Sequence, residues 1–315
     1  MELAIETTTL TKRYGSLIAV NKLDLRVERN SIHGFLGPNG AGKSTTIKIL
    51  VGLLNPDGGT VKIFGEEVYW DKADVRFKIG YMPELPKFPK YLKGEELLDV
   101  YGKMYGMSAQ DRKDQIPKLL TTVGLENRGK DLIGKYSKGM QQRLGIAQAL
   151  LNEPELIILD EPSLGLDPVG MIEARELMKE IAKKGMTVFI SSHLLSEVEQ
   201  ICKNVTIINK GVTLVSDSLQ NVSRKFSGLT TLQIEVTRIS GAIVEAVKKM
   251  PFVQELSMKD NAMTIELNTR DDVRSQVSQG ITGSGGVIIS MSSKGQNLEE
   301  AFMQLIAKSN EGRRE

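Results

Sequence analysis

The 315-residue sequence contains one cysteine and two histidines, and it has no long apolar run. The single cysteine, Cys202, excludes an internal disulfide and fits a reducing compartment. Apolar runs are short, with Leu156 to Leu159 typical of the longest, whereas a membrane-spanning helix needs about 20 apolar residues. The start, Met1-Glu2-Leu3, has neither the basic residues nor the apolar core of a signal peptide. We therefore expect a cytosolic chain. If it serves a membrane, another chain must cross it.

Charge is almost balanced, with a formal net charge of +2 at pH 7. No long basic run stands out, and the Gly312 to Arg314 end is too short to count, so no nucleic acid partner is expected. Apolar residues make up 40% and charged residues 25% of the chain, as in ordinary globular proteins. The length predicts about two domains, because single cores rarely grow beyond ~250–300 residues.

A phosphate-loop motif begins at Gly37 and reads G-x-x-x-x-G-K-S. An apolar, strand-like run from Ile32 to Leu36 precedes it, and a helical run from Thr45 to Leu53 follows it. Such a loop turns backbone N–H groups toward phosphate oxygens, and the following helix presents its positive N-terminal end to the same anion. Lys43 would reach the β- and γ-phosphates, and the Ser44 hydroxyl would ligate Mg²⁺. The predicted nucleotide-binding residues here are Gly37, Pro38, Asn39, Gly40, Ala41, Gly42, Lys43, Ser44 and Thr45. A chance match is the alternative, and the strand–loop–helix context disfavours it.

Two acids follow the apolar run Leu156 to Leu159. A buried strand that ends in carboxylates delivers them to the rim of a parallel sheet, where ligands of such sheets bind. Asp160 is predicted to hold Mg²⁺ together with Ser44. Glu161 suits a general base that deprotonates the water attacking the γ-phosphate. The alternative is an acid pair on the surface at a strand end, which the upstream phosphate loop makes less favourable.

Periodicity predicts the remaining organisation. Leu23, Leu25 and Val27 alternate with charged residues as in a half-buried strand. Strands at 60–64 and 78–82 are predicted to pair beside the phosphate loop in a small antiparallel sheet. Residues 94–151 show helical periodicity, and beyond them a helix at 169–183 separates strands at 156–159 and 187–190. Strands that alternate with helices predict a parallel sheet covered on both faces.

A second unit begins near residues 223–228. Its pattern is strand, helix, strand, strand, helix and strand, followed by a terminal helix at 298–307, which matches a split βαβ sandwich. Asn297 with Glu300 is a plausible cap of that last helix. No chemical motif occurs in this unit.

Residues 136–143, Tyr-Ser-Lys-Gly-Met-Gln-Gln-Arg, lie between the phosphate loop and the two acids. With those motifs they resemble the ATP-binding cassette (ABC) family of ATPases, whose signature is written L-S-G-G-Q, and the likeness covers residues 1 to about 225. The resemblance implies that Ser137 and Gly139 contact the γ-phosphate across a dimer interface. Serine is a good helix N-cap, and a helix N-terminus favours an anion, which fits that role.

Three further residues match family positions. Asp167 resembles the acid of the family's D-loop, and His193, after Ser191-Ser192, resembles its switch histidine, which touches the γ-phosphate or water. Tyr14 resembles the aromatic that stacks on adenine, with a half-buried turn aromatic as the alternative. The other histidine, His33, alternates with apolar neighbours and is interpreted as structural. Cys202 is interpreted as plain packing.

Two departures from the family pattern stand out. Glu84, in Tyr-Met-Pro-Glu, occupies the place where the family usually has a glutamine. A carboxylate there can ligate Mg²⁺ or orient water, and it adds negative charge beside the triphosphate. Lys138 brings a positive charge into the signature where glycine is usual. These variants, with the closing Asn-Leu-Glu-Glu-Ala-Phe at 297–302, look most like ATPase subunits of ABC-2-type exporters.

The resemblance implies an α/β fold: a P-loop ABC ATPase core with antiparallel β and helical subdomains at 1–225, the helical one at about 84–151. A small C-terminal α+β, ferredoxin-like domain at 226–315 would regulate the protein or support a dimer. The implied function is ATP hydrolysis, with Mg²⁺, by a head-to-tail dimer on the inner face of the cell membrane. It would power a separate integral membrane permease, with residues 84–93 as the loop that senses the partner.

Two other functions remain open at this point. One is a soluble ABC protein acting on ribosomes or DNA; such proteins usually have a long coiled coil or tandem cassettes, and this chain has neither pattern. The other is a nucleotide switch that hydrolyses poorly, against which the presence of Glu161 and His193 argues. The transported substrate, the transport direction and the choice between homodimer and heterodimer cannot be read from the residues.

Overall fold

The computed structural model describes residues 2–68, 74–226, 231–269, 271–294 and 298–311. The chain forms two compact units, Met1–Leu219 and Gln220–Glu315. The division lies a few residues before the predicted boundary. The predicted helix cap at Asn297 falls outside the described residues.

An antiparallel sheet opens the first unit. Its strands, in the order β2-β1-β4-β5, are β1 (Leu3–Tyr14), β2 (Leu17–Glu28), β4 (Gly58–Ile63) and β5 (Glu66–Glu67). The alternation predicted for β2 is confirmed, since Leu23, Leu25 and Val27 are buried. These side chains pack in one core with Ile47 and Leu50 of the helix that follows the phosphate loop. The antiparallel sheet therefore lies against the first turns after that loop.

A six-stranded sheet forms the centre of the unit, in the order β10-β9-β3-β8-β7-β6. Its strands are β3 (Ile32–Leu36), β6 (Ile79–Met82), β7 (Leu156–Asp160), β8 (Thr187–Ser192), β9 (Asn204–Asn209) and β10 (Val212–Ser218). All neighbours are parallel except the β9–β10 hairpin. Every residue of β7 and β8 is buried, as expected of parallel strands covered on both faces. The helices of this unit are α1 (Lys43–Leu50), α2 (Gly94–Met104), α3 (Ala109–Thr122), α4 (Lys138–Leu150), α5 (Pro168–Lys183) and α6 (Leu195–Ile201). The next helix, α7 (Leu219–Phe226), begins at the last residue of this unit and otherwise belongs to the second one.

The predicted pairing of strands 60–64 and 78–82 is wrong. β4 pairs with β1 in the antiparallel sheet, whereas β6 is the edge strand of the parallel sheet, with Met82 opposite Leu159. Met82 is fully buried and packs in one core with Leu97 and Leu98 of α2. A strand covered on both faces fits the parallel sheet and not an outlying hairpin. Strands that are consecutive in the sequence often, but not always, pair with each other. For β6, burial favours β7 as the partner.

The second unit contains four antiparallel strands in the order β12-β13-β11-β14. Its elements are β11 (Thr231–Val236), α8 (Gly241–Lys248), β12 (Val253–Lys259), β13 (Ala262–Leu267), α9 (Arg274–Gly283), β14 (Ile288–Lys294) and α10 (Leu298–Glu311). Alternate residues of β11 and β13 are buried, and they pack with Ile243 and Val277 of the two helices. The ferredoxin-like description of this unit stays a prediction.

Candidate nucleotide-binding and hydrolysis site

The parallel register brings three sequence motifs to one edge of the central sheet. In β3 and β8, Leu36 is opposite Ser192, and in β7 and β8, Asp160 is opposite Ser191. The phosphate loop, defined as residues 37–44, leaves β3 at this edge. Parallel strands end at the same edge, so the loop, the two acids and His193, the predicted switch histidine, emerge side by side.

The phosphate loop has a backbone that requires glycine. Gly42 adopts φ +106° at the start of α1, and a Cβ there would collide with the carbonyl oxygen of Ala19. A Cβ on Gly37 would lie 2.5 Å from the carbonyl oxygen of Ile208. Asn39 and Gly40 are exposed at the tip of the loop. No side chain caps the N-terminus of α1, so its first N–H groups are left to bind an anion.

Lys43 is folded back into the phosphate loop and is 6% exposed. Its Nζ donates to the carbonyl oxygen of Gly37 at 2.7 Å and lies 3.2 Å from Oε1 of Glu161. The sequence offers Glu161 no basic neighbour, and the structure supplies one from 118 positions away by bringing residue 43 to residue 161. An ammonium group is therefore held at the centre of the predicted phosphate site.

Glu161 is buried and in an uncommon backbone conformation, φ +50°. Its backbone N–H donates to Oγ of Ser191 at 2.9 Å, which holds this conformation. Its Oε2 lies 2.8 Å from Nδ1 of His193. Positive φ in a residue other than glycine costs about 1–3 kcal/mol and is frequent at active sites. Glu161 thus contacts the cation of Lys43 through one oxygen and the switch histidine through the other.

Asp160 is buried beside two hydroxyl groups. Ser191 Oγ donates to its Oδ1 at 2.5 Å, and Ser44 also hydrogen-bonds to it. Burial raises the pKa of this carboxyl above its ordinary value, and the two hydroxyl groups oppose the rise in part. The negative charge of Glu161 adds to the rise in pKa. A divalent cation would relieve this desolvated acid.

The residues around Asp160 fit a magnesium ion that is held mainly by its nucleotide. Ser44 and Asp160 are joined by a hydrogen bond, so both oxygens can face one hard cation. In the described part of the chain, no group of three or more His, Cys, Asp or Glu residues could hold a metal by itself. Mg²⁺ usually binds through one or two protein ligands plus phosphates and water, which is the arrangement these two residues allow.

The signature segment, residues 136–143, begins a helix as predicted. Ser137 caps α4 by accepting a hydrogen bond from the backbone N–H of Met140 at 3.2 Å. Asp167 has a similar local role, since its carboxylate accepts from the Gly170 N–H at 2.9 Å at the start of α5. A Cβ on Gly139 would lie 3.4 Å from Leu166, and the Lys138 side chain lies against Gly165. The signature and the D-loop of one chain therefore touch each other.

A cleft of about 740 Å³ lies beside the signature segment. Ser137, Gly139, Arg143 and Asp167 are among its lining residues, but Lys43 and Glu161 are not. No hydrogen bond or ion pair in the described residues joins Ser137, Gly139 or Asp167 to the lysine–acid–histidine cluster. Within one chain, the two predicted halves of a nucleotide site are therefore not joined by these bonds, and this cleft is lined by only one of them.

Tyr14 and Glu84 lie at the margins of the cluster. Tyr14 lies at the end of β1 and is 48% exposed. β1 forms a hairpin with β2, and the Ala19 carbonyl of β2 lies beside Gly42 of the phosphate loop. Glu84 follows β6, next to the strand that carries Asp160. Burial, with the charges of Asp160 and Glu84, raises the pKa of Tyr81 to about 12. In the structure as described, neither Tyr14 nor Glu84 forms a hydrogen bond or ion pair with the cluster.

Two residues interpreted as structural are buried. His33 is 2% exposed, its Nε2 lies 2.9 Å from Thr206 Oγ1, and its ring stacks on Phe189 at 5.9 Å. Burial lowers the pKa of His33 to about 4. Cys202 is buried, and burial raises the pKa of its thiol. Both interpretations are confirmed.

The sequence pattern predicts no role for Ser191, although this residue belongs to the Ser-Ser-His run. The structure shows one hydroxyl that binds both the Asp160 carboxylate and the Glu161 backbone. A hydroxyl residue at the end of a strand, two positions before the predicted switch histidine, was the available signal.

Comparison with known proteins shows the family to which this chain belongs. Residues 20–164 match the family described as ABC transporter. The bacitracin transport ATP-binding protein BcrA of Bacillus licheniformis is 46% identical over 72% of this chain and 74% of its own length. The protein of the same name from Enterococcus faecalis is 35% identical over 97% of each chain. This chain belongs to the ABC transporter ATP-binding family.

Solved structures extend the likeness to the ABC fold. An ATP-binding subunit of an ABC transporter has a TM-score of 0.65 at 34% identity, covering 71% of this chain and 93% of that one. A dimeric ATP-binding cassette bound to ADP and Pi has a TM-score of 0.62 at 25% identity, covering 68% of this chain and 98% of the other. The expected fold, an ABC ATPase core, is confirmed.

As an ABC ATP-binding protein, the chain binds and hydrolyses ATP to drive a separate membrane permease. Within the described residues, no helix has both the length and the apolar character required to span a bilayer. Nothing in the comparisons supports the alternative of a soluble protein acting on ribosomes or DNA.

Proposed function

We propose that two copies of this ABC ATPase bind ATP and Mg²⁺ between them, head to tail, and power an exporter from the cytosolic face of the membrane. The observation that carries this proposal is Glu161, a buried carboxylate held between the Lys43 ammonium at 3.2 Å and His193 Nδ1 at 2.8 Å. A base in this position lies beside the predicted γ-phosphate site and next to a second proton-carrying group.

Each residue of the cluster has a distinct role in this proposal. Lys43 and the N–H groups at the start of α1 bind the β- and γ-phosphates. Glu161 accepts the proton of the attacking water, and His193 orients that water or the γ-phosphate through a ring held by Glu161. Mg²⁺, held by Ser44 and Asp160 and adjoined by Glu84, would offset negative charge on the triphosphate. Tyr14 stacks on the adenine.

The second copy completes the site. Ser137 and Gly139 lie at the N-terminus of α4, where partial positive charge favours a γ-phosphate. In the described residues no hydrogen bond or ion pair joins these residues to Lys43 within one chain, and a two-fold arrangement would pair each phosphate loop with the partner's signature. The similarity to a dimeric cassette bound to ADP and Pi supports this arrangement. Asp167 lies at the start of the adjoining helix, within the same interface.

The permease would contact residues 84–93. Leu85 is 55% and Tyr91 76% exposed, and Pro86 and Pro89 stiffen the loop between them. Exposed apolar side chains on a stiff loop suit a protein partner. The likeness to a bacitracin transport protein makes a bacitracin-like peptide the first cargo to test. The second unit would support the dimer or the permease complex.

The test uses Glu161→Gln in the full chain with ATP and Mg²⁺. The amide keeps the size of the side chain but cannot accept a proton, so we expect hydrolysis to fall by at least about 100-fold. ATP should still bind and hold a dimer that elutes early in size-exclusion chromatography. Normal hydrolysis in this variant would refute the assignment of the base. An ATP-bound variant that remains monomeric would refute the shared site.

A further inference from the structure

Glu197 is a buried acid outside the predicted site. It lies in the first turn of α6 and is 9% exposed. Its Oε2 accepts hydrogen bonds from Ser163 Oγ at 2.5 Å and from Ser192 Oγ at 3.0 Å. In the described part of the chain, no lysine, arginine or histidine forms an ion pair with it. A buried carboxylate is costly unless hydrogen bonds satisfy it, so these two hydroxyl groups are its structural support.

One of the two hydroxyl groups holds the backbone around His193. Ser192 precedes the histidine, and its Oγ also accepts from the Leu194 N–H at 3.0 Å. The backbone is therefore fixed on both sides of His193 by one side chain. The hydroxyl group has a single proton to donate, and two acceptors lie within reach: the Glu197 carboxylate at 3.0 Å and the Leu194 carbonyl oxygen at 3.3 Å. The carboxylate is the nearer and the charged one, so it is the stronger of the two in setting the direction in which Ser192 points.

The other hydroxyl group holds the segment that follows Glu161. Ser163 is two residues beyond the base and is buried. Glu161 has a strained backbone with φ +50°, and the Ser191 hydroxyl binds its N–H at 2.9 Å. The Ser163–Glu197 bond secures the same segment on its far side. A strained residue keeps its conformation only when its surroundings fix it from more than one direction.

We propose that Glu197 is a positioning residue for ATP hydrolysis, whose carboxylate sets the relative position of Glu161 and His193 through Ser163 and Ser192. The inference rests on the proposed roles of that base and that histidine. Both segments meet at one carboxylate oxygen, so loss of that oxygen releases both at once. Glu161 Oε2 and His193 Nδ1 are 2.8 Å apart, and a displacement of about 1 Å can cost about 100-fold in rate.

The experiment measures kcat and KM for ATP in the full chain with Mg²⁺. Glu197→Ala should lower kcat by about 10- to 100-fold, because the base and histidine lose alignment. KM should change by less than about twofold, because in the described residues no hydrogen bond or ion pair joins Glu197 to the phosphate loop. Glu197→Gln, whose amide oxygen can still accept both bonds, should retain more activity than the alanine variant. Ser196→Ala removes an exposed hydroxyl from the same helix and is the matched control, with no expected change.

A double-mutant cycle separates positioning from general destabilisation. Ser163→Ala should lower kcat in the wild-type background but have little further effect in Glu197→Ala, because the bond it would break is already lost. Independent effects of Ser163→Ala and Glu197→Ala would overturn the proposal, as would wild-type kcat in Glu197→Ala. Glu161→Gln and His193→Ala serve as references. If Glu161→Gln and His193→Ala hydrolyse ATP normally, the proposed function fails. If these two lose hydrolysis while both Glu197 variants hydrolyse ATP normally, only the positioning role fails.

Discussion

Lys43 Nζ lies 3.2 Å from Oε1 of Glu161, with both side chains less than a tenth exposed. One cation thus serves two anions: the carboxylate that it contacts and the phosphate that the surrounding loop is built to bind. In the proposed site, ATP would compete with Glu161 for this ammonium. Binding and chemistry would then be coupled through a single lysine, because a phosphate that takes Lys43 would release Glu161 toward water.

Lys43→Ala should weaken ATP binding by about 10- to 100-fold, the equivalent of one lost charge-assisted hydrogen bond. Glu161→Gln should bind ATP at least as tightly as the wild type, because it removes the competing charge. Binding of a fluorescent ATP analogue measures both. Lys48→Ala, an exposed lysine in the last turn of α1, is the control and should bind normally. Unchanged affinity in Lys43→Ala would exclude the phosphate-loop assignment.

Asp160→Asn should increase the free energy of unfolding at pH 7 when no nucleotide is added. The folded-state pKa of Asp160 is raised, so the fold binds its proton more tightly than the unfolded chain does. The stability contributed by this group is then present below the unfolded pKa and is lost as pH rises through the folded pKa. At pH 7 the buried charge destabilises the fold, and the amide removes that charge. Urea unfolding measures the effect.

Asp160→Asn should also weaken the binding of Mg²⁺ in the presence of ATP. A protonated Asp160 cannot ligate a cation. Because the pKa of Asp160 is raised, the wild type should begin to lose Mg²⁺ affinity, measured with ATP present, at a higher pH during acidification than it would with a carboxyl of ordinary pKa. Asp114→Asn, on the exposed side of α3, is the control for a lost carboxylate. Tight Mg²⁺ binding by Asp160→Asn would remove this residue from the metal site.

Ser137 can be tested as a helix cap and as a phosphate ligand separately. Ser137→Ala should lower the free energy of unfolding by about 1 kcal/mol, because the Met140 N–H loses its partner. Ser137→Asp preserves the cap, since aspartate is an equally good N-cap, but it places a negative charge where the partner's γ-phosphate is proposed to lie. We expect the aspartate variant to be as stable as the wild type and unable to form the ATP-bound dimer in the Glu161→Gln background. A normal dimer would place the signature away from the phosphate.

Stability should fall at mildly acidic pH because of His33. Its pKa is lowered to about 4 by burial, from 6.5, so the neutral ring is favoured in the fold. The stability is fully present above 6.5 and is lost as pH falls toward 4. By pH 5 the loss relative to neutral or higher pH reaches about 2 kcal/mol, since each full pH unit below the unfolded pKa costs 1.36 kcal/mol. The chain has only one other histidine, so His193→Ala should keep this loss and His33→Gln should lack most of it.

The sequence predicts those features whose evidence lies in neighbouring residues. The phosphate loop, the Asp160-Glu161 pair and the Ser137 cap each depend on neighbours within a few positions, and their element types follow from periodicity. The partner of β6 could not be predicted in this way, because pairing depends on burial of Met82 among helices distant in sequence. The Lys43–Glu161 pair and the bonds of Glu197 are also long-range, and no local pattern identifies which buried polar groups will meet.

The contact between Lys138 and Gly165 links two motifs that are usually considered apart. The lysine stem occupies the space into which any side chain at position 165 would project. A glycine at position 138 would leave that space free. Asparagine tolerates φ near the +73° of Gly165, so it would then fit at position 165. Substitutions at 138 and 165 are therefore interdependent, and related sequences should change at these two positions together.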